Sequence, residues 1–206
     1  MDKPVVIIGA GGHARVLLDS MCLQGVKVLG ALDKATDGNF AVPILGDDDA
    51  ISTYPTDAVE LVNGLGSVGD TGLRSRIFEK FKQLGYSFRT VVHPSAVIAQ
   101  DCVLGEGAQV MAGAVINTGA RIGADSIINT GAVVDHECVI GSHVHIAPGC
   151  TLSGGVRVGD GAHVGTGAVV IQGISIGEHA LLGAGAVAVR DVPAGAKALG
   201  VPARIV

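Results

Sequence analysis

Two short stretches of this 206-residue sequence carry side chains whose types and spacing can do chemistry. One is Val133-Val134-Asp135-His136-Glu137-Cys138-Val139-Ile140-Gly141, where an imidazole and a carboxylate stand side by side between two apolar pairs. Histidine is the natural general base near neutral pH. An adjacent carboxylate orients the ring and stabilises its protonated form. A solvated polar corner with no catalytic task fits the same two residues. The other stretch is Gly9-Ala10-Gly11-Gly12-His13-Ala14, directly after the apolar run Val5-Val6-Ile7-Ile8. Its glycines satisfy G-x-G-x-x-A, and an acid, Asp33, stands about twenty residues on. Such glycines let a backbone approach a diphosphate, and the N-terminus of the following helix attracts its charge.

The elements that must hold the glycine loop read as a βαβ start. Val5–Ile8 is a buried strand, an amphipathic helix covers roughly 13–24, and Val26–Leu32 is a second strand ending at Asp33. A third strand, Glu60-Leu61-Val62-Asn63, leads into a second glycine-rich loop, Gly64-Leu65-Gly66-Ser67-Val68-Gly69. The helix Leu73–Leu84 then carries Arg74, Arg76, Lys80 and Lys82. Two such loops at the carboxyl ends of parallel strands form a nucleotide-sugar crevice; tight αβ packing without a ligand is the other reading. Fewer than a hundred residues are available here, which excludes a full doubly wound dinucleotide domain but leaves room for a half-fold holding one nucleotide diphosphate.

The His-Glu pair belongs to a different architecture. From Ile98 to Leu182 every sixth residue is aliphatic, through Leu104, Val110, Ile116 and onward to Val164, Val170 and Ile176. Four residues after each stands a small or β-branched one, such as Ala108, Ala120, Ser126, Cys138, Val144 and Ala162. A period of six matches neither a helix nor a simple strand. It matches a short strand, a corner and another short strand, three of which close a triangular coil of about 18 residues. Five coils at ~4.8 Å per strand make a prism ~24 Å tall. His136 and Glu137 fill two corner positions where Gly and Asn are usual.

Composition agrees with the break between the two parts. All six aromatics (Phe40, Tyr54, Phe78, Phe81, Tyr86, Phe88) precede residue 90, while 20 of the 32 glycines follow it. A core without rings must be filled by small and β-branched side chains, as in the repeat. The boundaries are therefore set at 1–90 for a small βαβ domain and 91–206 for the repeat. Lys plus Arg number 14 against 19 Asp plus Glu, a net charge of −5, which argues against nucleic acid and against a polybasic membrane anchor. No apolar run approaches a membrane span, and Met1–Pro4 leads into a strand rather than a signal-peptide core, so the cytoplasm is the expected address. The four cysteines lack paired spacing, so neither a disulfide framework nor a zinc site is expected.

The remaining histidines sort by column. His145 and His163, eighteen apart, stack in successive coils and point outward; His143 and His179 share a corner column. They line an interface or stay solvated in preference to binding metal. His136 and His145 lie on different sides of a corner, so they meet only if two subunits pack together. His93 precedes Pro94 at the domain junction and is structural, and His13 starts the first helix, where it can hydrogen-bond a ligand. Cys138 occupies an inward position, like Cys102 and Cys150, and is not a nucleophile.

On this repeat the chain resembles the hexapeptide acyltransferases, which implies a left-handed coil, a homotrimer and an acyl-CoA donor. The whole chain is similar to one subfamily, carried by Gly9-Ala10-Gly11-Gly12-His13, Asn129-Thr130-Gly131, His136-Glu137-Cys138-Val139-Ile140-Gly141 and Gly200-Val201-Pro202-Ala203. These are the PglD-like N-acetyltransferases of UDP- or GDP-linked 4-amino-4,6-dideoxy sugars and the NeuD-like sialic-acid O-acetyltransferase proteins. The resemblance implies a small Rossmann-like βαβ domain followed by a left-handed parallel β-helix. It implies direct transfer from acetyl-CoA to a C4 amine, with O-acetylation of sialic acid or another sugar hydroxyl as the alternative. It assigns His136 as general base and Glu137 as its tuning partner. It gives Asn129, His145, Thr166 and Ala184 to acetyl-CoA, and Gly11, Gly12, His13, Asp33, Lys34 and Gly66 to the nucleotide sugar. No metal is implied. The longer Gly64–Gly72 stretch departs from the subfamily and leaves base and sugar open.

Overall fold

The computed structural model describes residues 3–34 and 40–206. Strand β1 (Val5–Ile8) is entirely buried, as a parallel strand covered on both faces must be. Helix α1 (Gly12–Leu23) returns over it and buries Ala14, Leu17, Leu18 and Met21. Strand β2 (Val28–Leu32) pairs parallel with β1. It begins two residues later than the apolar run suggests, because the Val26 N–H is taken by the carbonyl of Met21 at the end of α1. A short strand β3 (Ile44–Gly46), which the sequence pattern does not announce, joins β2. Gly30 lets it approach: a β-carbon there would collide with the Pro43 carbonyl. Asp47 caps a 3₁₀ turn at Asp48–Thr53, so the run Asp47-Asp48-Asp49 is the start of a short helix. Strand β4 (Glu60–Asn63) pairs with the other edge of β1, giving the order β3-β2-β1-β4, and helix α2 (Gly72–Gln83) follows.

The rest of the chain is a left-handed parallel β-helix of three faces. The first face runs from Val91–Val92 through Gln109–Val110, Ile127–Ile128, His145–Ile146 and His163–Val164 to Leu181–Leu182 and Lys197–Leu199. The second has six strands, from Val97–Ile98 to Val187–Ala188, and the third five, from Val103–Leu104 to Ser175–Ile176. Partners in neighbouring rungs are eighteen residues apart, as His145 and His163 are. The prism starts one strand before the first residue of the counted repeat, with Val92 already in phase and packed on the core. Every sixth aliphatic and each small residue four positions on points inward, and Ala, Val, Ile, Leu and Cys fill the interior without a ring.

Corners need left-handed backbone at their second position. Glycine supplies it at most of them, but Asp125 (φ 55°), Glu137 (φ 58°), His143 (φ 58°) and His179 (φ 53°) adopt it with a side chain. Such conformations are sparsely populated by non-glycine residues. At the far end the last corner is shortened, so that Val192 bridges Ile176, and Arg204–Ile205 turns back antiparallel on Leu199 and Ala198.

The βαβ domain sits on the first face. It covers Gln109, Ile127, His145 and His163, whose outward side chains are all buried. Phe78 of α2 stacks on Phe88 at 4.3 Å and meets His143 edge-on at 5.5 Å. Thr71 donates to the Gly161 carbonyl at 2.8 Å. Among the described residues no helix is long and apolar enough to cross a membrane.

Candidate active site

The carboxyl ends of β1 and β4 open side by side, and their glycine loops form a crevice of about 580 Å³. Gly9, Gly11, Gly12 and His13 line one side, Gly64–Val68 another, and Asp33 the rim. Asp33 also fixes the first loop, accepting the Ala10 N–H at 2.8 Å. Helix α1 begins here with Gly11 as its N-cap and no side chain capping it, so its first N–H groups are left for an anion. Gly66 lies over His13: an added β-carbon would come within 3.2 Å of the His13 β-carbon. Lys34 is exposed and lines the adjoining hollow with Asp33, Leu65 and Leu73.

The inner wall belongs to the prism. Asn129 and His145 line the same crevice as the glycine loops. His145 Nε2 lies 3.0 Å from Asn129 Nδ2, and Asn129 Oδ1 accepts the Thr130 N–H at 2.7 Å. That acceptance leaves Asn129 Nδ2 as the donor to His145, so the ring's proton is on Nδ1, which meets Ser67 at its hydroxyl (2.8 Å) and its carbonyl (3.1 Å). Burial first, then the neighbours His163, His13 and Arg74, hold His145 down to about 3. It is a neutral latch between the second glycine loop and the prism. His163 packs edge-on against it with centroids 5.0 Å apart.

Arg74 and Asp125 bind the loop from beneath. The pair is fully buried at 2.7 Å. Arg74 also donates Nη1 to the carbonyls of Leu65 (2.6 Å) and Asn63 (3.0 Å), and Nε to that of Asp125 (3.0 Å). Asp125 in turn meets Asn63 Nδ2 and His143 Nδ1, each at 3.0 Å. Lys80 and Lys82, by contrast, make exposed ion pairs with Asp48 and Glu106, and lie on the outer side of α2.

His136 stands elsewhere, at the corner between the second and third faces. Its Nδ1 is 3.4 Å from Glu137 Oε2, and the two side chains are 54% and 77% exposed. The corner is fixed by Asp135, whose Oδ1 accepts the His136 N–H at 2.8 Å and Asn117 Nδ2 at 2.9 Å. The backbone bond to His136, then that to Asn117, holds the Asp135 carboxyl below the usual range. The His136 ring covers Gly154 in the next rung, where a β-carbon would collide with Nε2 and Cε1. Thr166 and Ala184 are exposed at successive corners between the first and second faces, on the same column as Thr130. The structure thus brings Asn129 and His145 to the glycine-loop crevice, and leaves Thr166, Ala184 and the His136–Glu137 pair at separate prism corners.

Residues 4–81 match the PglD N-terminal domain and residues 119–154 the bacterial transferase hexapeptide, six repeats. A variant of perosamine N-acetyltransferase from Caulobacter crescentus, solved in complex with CoA and GDP-perosamine, is 42% identical, with a TM-score of 0.93 over 100% of this chain and 98% of that one. The chain belongs to the PglD-like hexapeptide sugar acetyltransferases. The acetyltransferase domain of PglB from Neisseria gonorrhoeae is 33% identical with a TM-score of 0.93, each chain being covered in full. UDP-N-acetylbacillosamine N-acetyltransferase of Bacillus subtilis is 40% identical over 116 residues, which span 53% of this chain and 52% of that protein.

In this sugar acetyltransferase Ser67 and Arg74 stood out in the sequence only as members of a loop and of a basic helix, and Gln109 and Asp125 did not stand out at all. Asp125 carried a signal, since it stands at a corner position otherwise suited to glycine. Gln109 carried a weaker one, a lone amide on the outward column that continues with Ile127, His145, His163 and Leu181. Among the described residues no group of three or more His, Cys, Asp or Glu side chains gathers to hold a metal ion.

Proposed function

We propose that this acetyltransferase moves the acetyl group of acetyl-CoA directly onto the C4 amine of a UDP- or GDP-linked 4-amino-4,6-dideoxy sugar, with His136 as the general base. The observation that carries the reading is the crevice. Two backbone loops and an uncapped helix start suit a diphosphate, and a prism wall stands where the sugar would project. Its likeness to a protein solved with CoA and GDP-perosamine supports both substrates.

In the proposed reaction the amine attacks the thioester carbonyl and His136 takes its proton. Glu137 steadies the imidazolium, prism N–H groups receive the oxyanion, and as the carbon–sulfur bond breaks the imidazolium returns its proton to the sulfur, so that CoA leaves as the thiol. Transfer is direct because the cysteine nearest His136 is unsuited to carry an acyl group: Cys138 is buried, donates its S–H to the Ser153 carbonyl, and burial raises its pKa. Thr166 and Ala184 would lie along the CoA arm, and Asn129 and His145 where donor meets acceptor. Gly11, Gly12, His13, Asp33, Lys34 and Gly66 would hold the nucleotide sugar. Because His136 and the crevice lie on different faces of one prism, we infer a homotrimer in which one copy lends its corner to the next. We place it in the cytoplasm, in keeping with four unpaired cysteines.

The test is release of free thiol from acetyl-CoA with UDP- and GDP-linked 4-amino-4,6-dideoxy sugars, CMP-sialic acid and free sialic acid. Turnover with a 4-amino nucleotide sugar, lost by about 10²–10⁴ in His136→Ala with folding intact, supports the reading. Turnover with sialic acid alone transfers it to O-acetylation. Near-normal turnover in His136→Ala overturns the base assignment.

A further inference from the structure

The histidine that begins α1 is tied to the prism by a residue that no part of the proposed chemistry uses. Gln109 is buried, 1% exposed, on the first face. Its amide is oriented without ambiguity, because Nε2 lies 2.8 Å from the Asn63 backbone carbonyl, which can only accept. Oε1 is therefore the atom 2.7 Å from His13 Nε2, and an amide oxygen can only accept. His13 must carry its proton on Nε2. Its other nitrogen makes no hydrogen bond among the described residues, and the ring lines the crevice.

We infer that Gln109 is a positioning residue that fixes His13 as the Nε2–H tautomer, so that Nδ1 is an obligate hydrogen-bond acceptor for a hydroxyl or N–H donor of the nucleotide sugar. The acceptor role rests on the reading of the crevice as the nucleotide-sugar site; the tautomer does not. The charge state agrees. Burial and the Arg74 guanidinium hold His13 down to about 4, against the opposing bond from Gln109, so the ring is uncharged at neutral pH. Arg74 is the charged group acting on it, His145 is the titratable ring on which it acts in turn, and Asp33 shares the crevice. A neutral ring of fixed tautomer discriminates by polarity: it welcomes a donor and leaves a bound acceptor unpaired.

The experiment is ¹⁵N NMR of histidine-labelled full-length enzyme, with His13 assigned through His13→Asn. At neutral pH the free enzyme is expected to show a protonated Nε2 and an unprotonated Nδ1. Saturation with the UDP- or GDP-linked 4-amino sugar should move the Nδ1 resonance in the direction of hydrogen-bond acceptance. In Gln109→Glu the new carboxylate should draw a second proton onto the ring and turn Nδ1 into a donor. Affinity for the nucleotide sugar should fall about tenfold or more, with the KM for acetyl-CoA unchanged. A proton on Nδ1 in the free wild-type enzyme overturns the inference outright. The expected tautomer with an unmoved Nδ1 at saturation overturns the acceptor role. Failure of every nucleotide sugar to bind wild-type enzyme overturns instead the reading of the crevice, and the acceptor role with it.

Discussion

The imidazole of His136 lies against Gly154, one rung along the prism, in the space a β-carbon would occupy. Gly154 has no left-handed φ, so alanine is tolerated by its backbone; what must move is the ring. Gly154→Ala is therefore expected to lower kcat by about ten- to a hundredfold, since small misplacements of a proton acceptor are costly. The melting temperature should stay within a few degrees of wild type. Side-by-side kcat and calorimetry check this, and unchanged turnover would show that the ring need not sit there.

Cysteine chemistry should be silent. Cys138 and Cys150 are buried, and burial pushes Cys150 up to about 11. Cys102 is partly covered and donates its S–H to Asn117, leaving Cys22 as the exposed thiol. Titration of the native enzyme with a thiol reagent should find about one fast group per chain, and Cys138→Ala should keep turnover within about twofold, because only thiolates react.

The Arg74–Asp125 pair should behave as a single unit. Asp125→Asn keeps a residue that tolerates the left-handed corner but strands a buried guanidinium. Losing one partner of such a pair costs about 3–5 kcal/mol. Denaturant unfolding should register that loss. Because Arg74 holds the Leu65 carbonyl, the KM for the nucleotide sugar should rise while that for acetyl-CoA stays.

Stability should fall in acid for a reason the site supplies. His13 and His145 titrate at about 4 and about 3 in the folded chain, against ~6.5 unfolded. Above that value neither state holds the extra protons and the contribution is fully present. As pH drops below ~6.5 the unfolded chain takes them up first, and stability declines by about 1.4 kcal/mol per pH unit for each ring. Melting curves from about pH 7 to 4.5 should slope less steeply in His145→Gln than in wild type. Parallel curves would mean that His145 is protonated in the native enzyme.

Much of this was legible in the residues. The six-residue aliphatic period points to a prism because a helix turns every sixth side chain away from its apolar face, and no strand runs unbroken through fifteen repeats with turn residues between its apolar pairs. The corner place of His136 and Glu137 follows from counting. The two glycine loops pointed to the crevice because each terminates an apolar run. What stayed hidden depends on two distant segments meeting. Strand β3 is three half-buried residues held by pairing with β2, so its own pattern is too short to read. Arg74 looked like one cation of a basic helix, yet its partner lies 51 residues on and across the domain contact. Asn129 and His145 sit on the crevice wall because the βαβ domain docks on the first face, and no period within the repeat says which face will be covered.

A coil that repeats without insertion has no intrinsic length, and its last rung presents the same open ladder as every rung before it. Here the ladder closes by reversal: Arg204–Ile205 runs against Leu199 and Ala198 while the other strands of its face run together. An incoming parallel strand meets a hydrogen-bond pattern set for the opposite direction. The reversed strand is thus a stopper on that face, offering an incoming prism a ladder whose donors and acceptors are set for the opposite chain direction.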